Sequence, residues 1–184
     1  MPPDPAPSYV YSRCLVLGCG NVLYGDDGFG PCVAARLEAQ GLPPGAAVID
    51  AGTGVRKVLF NLLLSCRLPS LILVVDSVDL RRNPGDVFWL DLSEMPREKS
   101  DDFSMHQAPT SNLLAELRDH RGVTVEVLAC QTASIPMEVT TGLSPEVDAA
   151  AGRACALVHE RCIRFLGGRA AEPANGVESC GFDS

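Results

Sequence analysis

Aromatic side chains are scarce, at 5% of 184 residues with a single Trp, so a core must come mainly from Leu, Val, Ile and Ala. Positive charge is short as well. Fifteen Lys and Arg face 23 Asp and Glu, leaving a net charge of -8. Gripping phosphates requires a cationic face, so DNA and RNA are not expected partners. The close pairs Arg81 and Arg82, and Arg161 and Arg164, are read as solvated charges. No apolar run reaches the roughly 18 residues that a membrane-crossing helix needs, so no membrane partner is expected. The proline-rich opening lacks the cationic and apolar pattern of a secretory signal, and a cytoplasmic location follows as the expectation. Eight cysteines are present, but no two are spaced as C-x-x-C. A zinc ribbon or thioredoxin-like site is therefore unsupported, and most of the thiols are read as reduced core residues.

What is present is the composition of an ordinary globular domain, 46% hydrophobic and 21% charged. One domain is expected, with a core over about 11–167 and flexible tails at 1–10 and 168–184. Apolar runs predict strands over 11–17, 47–49, 71–75, 86–90 and 123–129. Helical spacing predicts helices over 29–40, 55–66, 109–121 and 145–166, the first stopped by Gly41 and the last capped by Ser144. Residues 93–103 are polar and irregular and read as a mobile loop. The order β-α-β-α-β-β-α-β-α implies an α/β fold: a single three-layer α/β/α domain around a mostly parallel, twisted sheet of about five strands.

In such sheets, sites form beyond the carboxyl ends of the strands. Asp26 and Asp27 follow the first strand, Asp76 follows the most apolar one, and His106 precedes the third helix. Each has a plain alternative. Asp26 suits a loop organiser that accepts backbone N–H groups, Asp27 a helix cap, Asp76 a turn cap and His106 a solvated loop histidine. Together they make a carboxylate–carboxylate–imidazole set. That set suits a divalent transition metal with open positions, and an aspartate is a competent base toward water. A nucleotide site fits less well. Gly18-x-Gly20 imitates a dinucleotide fingerprint, but Leu23 stands where the third glycine belongs. Two carboxylates would also face the phosphates.

The segments resemble those of the hydrogenase maturation endopeptidases. Gly18-Cys19-Gly20-Asn21-Val22-Leu23-Tyr24-Gly25-Asp26-Asp27-Gly28-Phe29-Gly30 is similar to that family's opening G-x-G-N-x-L-x-x-D-[DE]-G-x-G. Asp50-Ala51-Gly52-Thr53 resembles its D-x-G-T, Val74-Val75-Asp76 its third-strand aspartate, and Ser104-Met105-His106-Gln107 its histidine segment. Gly142-Leu143-Ser144-Pro145 resembles the start of its last helix. The Pro84-Gly85 segment is in the style of members that serve coenzyme F420-reducing hydrogenases.

The resemblance implies a protease that removes a C-terminal extension from the nickel-loaded large-subunit precursor of a nickel–iron hydrogenase. The family's acidic positions map to Asp27, often Glu in relatives, and Asp76, and its imidazole maps to His106. These three are the expected catalytic and metal-contacting groups. The nickel is brought by the precursor, and no permanently bound cofactor is expected. Asn21, Asp26, Gly52, Thr53 and Gly54 are the expected substrate contacts, although the glycines suit a turn equally well. Two alternatives stand beside this reading: a non-catalytic module that senses nickel-loaded precursor, and a nucleotide-binding α/β enzyme.

Overall fold

The computed structural model describes residues 8–94 and 110–168. Strands β1 (Cys14–Cys19), β2 (Ala46–Gly52), β3 (Leu71–Val78), β4 (Val87–Leu90) and β5 (Thr124–Gln131) form one five-stranded sheet in the order β2-β1-β3-β5-β4. All pairs are parallel except β4 with β5. Helices α1 (Phe29–Gln40), α2 (Val55–Leu64), α3 (Thr110–Arg121) and α4 (Pro145–Gly167) cover both faces. The expected three-layer α/β architecture is the one observed.

Alternation along the strands decides which layer each residue meets. Leu15, Leu17, Ile72, Val74 and Val127 pack with Leu59 and Leu62 of α2 and Leu114 and Leu117 of α3. Val16, Leu73, Val75 and Leu128 face the other way, onto Phe29, Val33 and Leu37 of α1 and Val147, Ala151 and Val158 of α4. Because both faces are covered, β3 is buried along its whole length.

Several boundaries differ from the sequence reading, and the differences gather where strands end. β3 runs to Val78, so Asp76 lies inside the strand and not just after it. β1 likewise continues through Gly18 to Cys19. A Cβ on Gly18 would sit 2.4 Å from the Gly30 carbonyl oxygen, and one on Gly30 would sit 2.2 Å from that of Cys19. These glycines let α1 press its backbone onto the sheet, where a strand stop was expected. At its start β1 is shorter than expected, because residues Ser8–Tyr11 form a 3-10 turn. Ser144 occupies the N-cap position of α4 but makes no capping bond with its side chain.

Arg161 is paired with Glu126 and Arg164 with Glu160, each at 2.5 Å. Arg82 stacks on Phe88 at 3.8 Å from the ring centre. Arg161 and Arg82 are therefore engaged with the protein itself, where solvated charges were expected. No helix among the described residues is long and apolar enough to cross a membrane.

Candidate active site

The topology alone marks one end of the sheet. β1 lies between β2 and β3, and the chain leaves β1 by way of α1 for one neighbour and reaches the other only later. A crevice therefore opens at the carboxyl ends of β1 and β3, the place where open α/β sheets bind ligands. Asp27 lies in the loop after β1, and Asp76 lies near the end of β3.

Both carboxylates are held by one residue, Ser77. Its backbone N–H donates to Asp76 Oδ1 at 2.8 Å, and its hydroxyl donates to Asp27 Oδ1 at 3.3 Å. Asp76 is 7% exposed and Ser77 1%. Asp27, 50 positions before Ser77 in the chain, thus meets the same buried serine that holds Asp76. Alternation in β3 turns Ser77 toward the α1 layer and Asp76 toward the α2/α3 layer, so the pair spans the end of the strand. Asp27 does not cap α1, since the N-cap is Gly28 and no side-chain cap bond is made there.

The backbone of Asp27 is as closely held as its side chain. Gly20 has φ +128°, and a Cβ there would lie 1.9 Å from the Asp27 carbonyl oxygen. That oxygen accepts the Asn21 N–H at 3.1 Å. The glycine is required because the loop doubles back on itself at van der Waals distance.

Asp26 points elsewhere. It is 1% exposed. Its Oδ2 accepts from Ala133 N–H at 2.8 Å, Ser134 N–H at 3.3 Å and the Ser144 hydroxyl at 3.0 Å. Its Oδ1 accepts the Ser144 N–H at 2.7 Å. This is the loop-organising alternative, realised across more than 100 positions of chain rather than locally. All of these bonds tie the Asp26 carboxylate to the scaffold. The same bonds explain why the Ser144 hydroxyl does not cap α4.

The remaining expected contacts lie around this end. Asn21 Oδ1 accepts the Leu23 N–H at 3.0 Å. Gly52, at φ +49°, gives its carbonyl to the Gly20 N–H at 3.3 Å and so ties β2 to the first loop. Thr53 and Gly54 are exposed, and Gly54 is the N-cap residue of α2. His106 lies outside the described residues, as do Pro109 and nearly all of the polar segment 93–103. Among the described residues no group of three metal-ligating side chains occurs, which leaves two acidic groups of the expected set at the crevice.

Two contributors escaped the sequence reading. Ser77 is one. The other is Gln131, 3% exposed. Its side-chain oxygen accepts the N–H groups of Leu80 and Arg82, and its nitrogen donates to Asp79, which fixes the turn that follows β3. Neither residue stands out by spacing. The available signal was their position directly at the carboxyl ends of the most apolar strands. Cys130, beside Gln131, is not a nucleophile in reserve, because burial and then the Asp26 charge push its thiol up to about 12. A phosphate at the amino end of α1 would meet Asp27, which argues against the nucleotide alternative.

Known proteins resemble this chain in sequence and in fold. Residues 31–161 match the hydrogenase maturation protease family. The chain is 37% identical over 145 residues to a putative hydrogenase maturation protease of Methanocaldococcus jannaschii, covering 78% of this chain and 92% of that protein. It is 36% identical over 152 residues to the coenzyme F420 hydrogenase subunit delta of Methanothermobacter thermautotrophicus, covering 80% of this chain and 92% of that one. Among solved structures, the hydrogenase maturating endopeptidase HybD of Escherichia coli superposes with a TM-score of 0.63 at 25% identity, over 84% of this chain and 94% of that chain. On these grounds the chain belongs to the hydrogenase maturation protease family, and it is an endopeptidase.

Proposed function

We propose that this endopeptidase removes the C-terminal extension of a nickel-loaded large-subunit precursor of a nickel–iron hydrogenase, and that Asp27 and Asp76, joined by His106, meet the nickel that the precursor carries. The observation that carries the reading is the joint suspension of Asp27 and Asp76 from Ser77 at the switch point of the sheet. Carboxylates are accepted as hard ligands by divalent nickel, and an imidazole adds affinity for it. Two acidic groups held by one buried serine are preorganised, so little side-chain entropy is lost when an ion arrives.

In this reading the nickel belongs to the substrate and serves first as a recognition element. The scissile peptide is brought over Asp27 and Asp76, and a carboxylate not engaged with the ion takes a proton from the attacking water. The likeness to the F420 hydrogenase subunit supports a substrate from the coenzyme F420-reducing class.

The test uses the purified full chain and a purified precursor loaded with nickel. Asp27→Ala, Asp76→Ala and His106→Ala should each slow the shortening of the precursor by about 100-fold or more, the usual scale for losing a catalytic acid–base or ion contact. Normal cleavage by the Asp27→Ala or the His106→Ala protein would overturn the site assignment.

A further inference from the structure

Five cysteines line the layer between the sheet and the α1/α4 helices: Cys14, Cys32, Cys130, Cys155 and Cys162. Two of them touch. Cys14, the first residue of β1, and Cys162, near the end of α4, bring their Sγ atoms to 3.3 Å although 148 positions separate them. Both are fully buried. A disulfide bond is about 2.05 Å long, so the sulfurs need approach by only about 1.3 Å, a movement within side-chain rotation.

The two thiols are not equivalent. Arg161 adjoins Cys162 and is anchored by Glu126, with Nε to Oε2 at 2.8 Å and Nη2 to Oε1 at 2.5 Å. The contact with Cys14, and with it the Arg161 charge, outweigh burial and hold the Cys162 thiol below its ordinary value. The contact with Cys162, and then burial, push the Cys14 thiol up. Cys162 is therefore the sulfur that carries thiolate character. It also lies within about one and a half helical turns of the end of α4 at Gly167, and helix ends open more readily than helix middles.

We propose that Cys14 and Cys162 form an oxidation site, closing to an intramolecular disulfide that ties β1 to α4 when the protein meets a small disulfide oxidant. The Cys162 thiolate attacks one sulfur of the oxidant, forming a mixed disulfide and releasing one thiolate of the reagent. Cys14 gives up its proton to water or to that thiolate and attacks the Cys162 sulfur, displacing the second. The protein loses two protons and two electrons, which together turn one disulfide of the reagent into two thiols. The bond forms at the amino end of β1, the opposite end of the strand from Asp27, and is independent of the precursor-processing reading.

The test treats the full reduced chain with oxidised glutathione, blocks remaining thiols with an alkylating reagent under denaturing conditions, and maps the peptides without reduction. The expected result is a linked peptide pair joining residues 14 and 162, an intact mass lower by two hydrogens, and alkylation at both positions reduced roughly tenfold. Cys155→Ser, about two turns earlier on the same face of the helix, should keep the link. Full alkylation of Cys14 and Cys162, a link from either to another cysteine, or loss of the link in Cys155→Ser would overturn the proposal.

Discussion

Asp26 and Asp27 are neighbours with opposite fates, and substitution should separate them. Asp26→Ala leaves the part-buried N–H groups of Ala133, Ser134 and Ser144, and the Ser144 hydroxyl, without their buried acceptor. It is expected to lower unfolding free energy by about 3 kcal/mol in a urea titration. Asp27→Ala removes one hydrogen bond to Ser77 and is expected to cost about 1 kcal/mol while abolishing most activity. Equal stability losses for the two variants would contradict the division of labour. The sequence showed an acidic pair after a strand but not which member turned inward, because that choice is made by Ala133, Ser134 and Ser144, residues more than 100 positions away. Ser77 was hidden for a related reason. A serine earns notice only through its partners, and its partner Asp27 lies on another loop.

At the scale of elements, the helices and the order of strands were legible because their apolar periodicities are long and uninterrupted. The carboxyl ends of the strands were not. Asp76 and Ser77 break the apolar run of β3, and Gly18 breaks that of β1, yet both segments keep parallel pairing: Gly18 with Val75, and Asp76 with Ala129. Polar and small residues stand there because the site and the close approach of α1 require them, so the local pattern fails at the functional end. Gly30 tests this directly. A methyl group at that position meets backbone carbonyl oxygens of Cys19 at 2.2 Å and Val75 at 2.4 Å, neither of which moves without shifting a central strand. Gly30→Ala should destabilise the chain by about 2–3 kcal/mol, read as a lower urea midpoint at unchanged slope. A midpoint within error of the wild type would show that α1 does not bear on the sheet as described.

For the molecule as a whole, the scaffold has a pH limit on the alkaline side. The Cys130 thiol, ordinarily at 9.0, is pushed up to about 12 by burial and then by Asp26. Between those values the unfolded chain has released this proton and the folded one has kept it. The contribution of Cys130 is therefore whole below about pH 9 and drains away as pH climbs toward about 12. Cys130→Ala should lower stability at neutral pH through the lost side-chain volume, yet decline less between about pH 9 and 11 than the wild type does. Parallel decline of both proteins would remove Cys130 from the account.

The account rests most heavily on nickel being the signal that the precursor is ready. The direct measurement is the intact mass of a purified large-subunit precursor, supplied with and without nickel, before and after incubation with this protein. The expected outcome is loss of a C-terminal fragment from the nickel-bearing precursor alone. Equal shortening of the nickel-free precursor, or an unchanged mass in both samples, would contradict it.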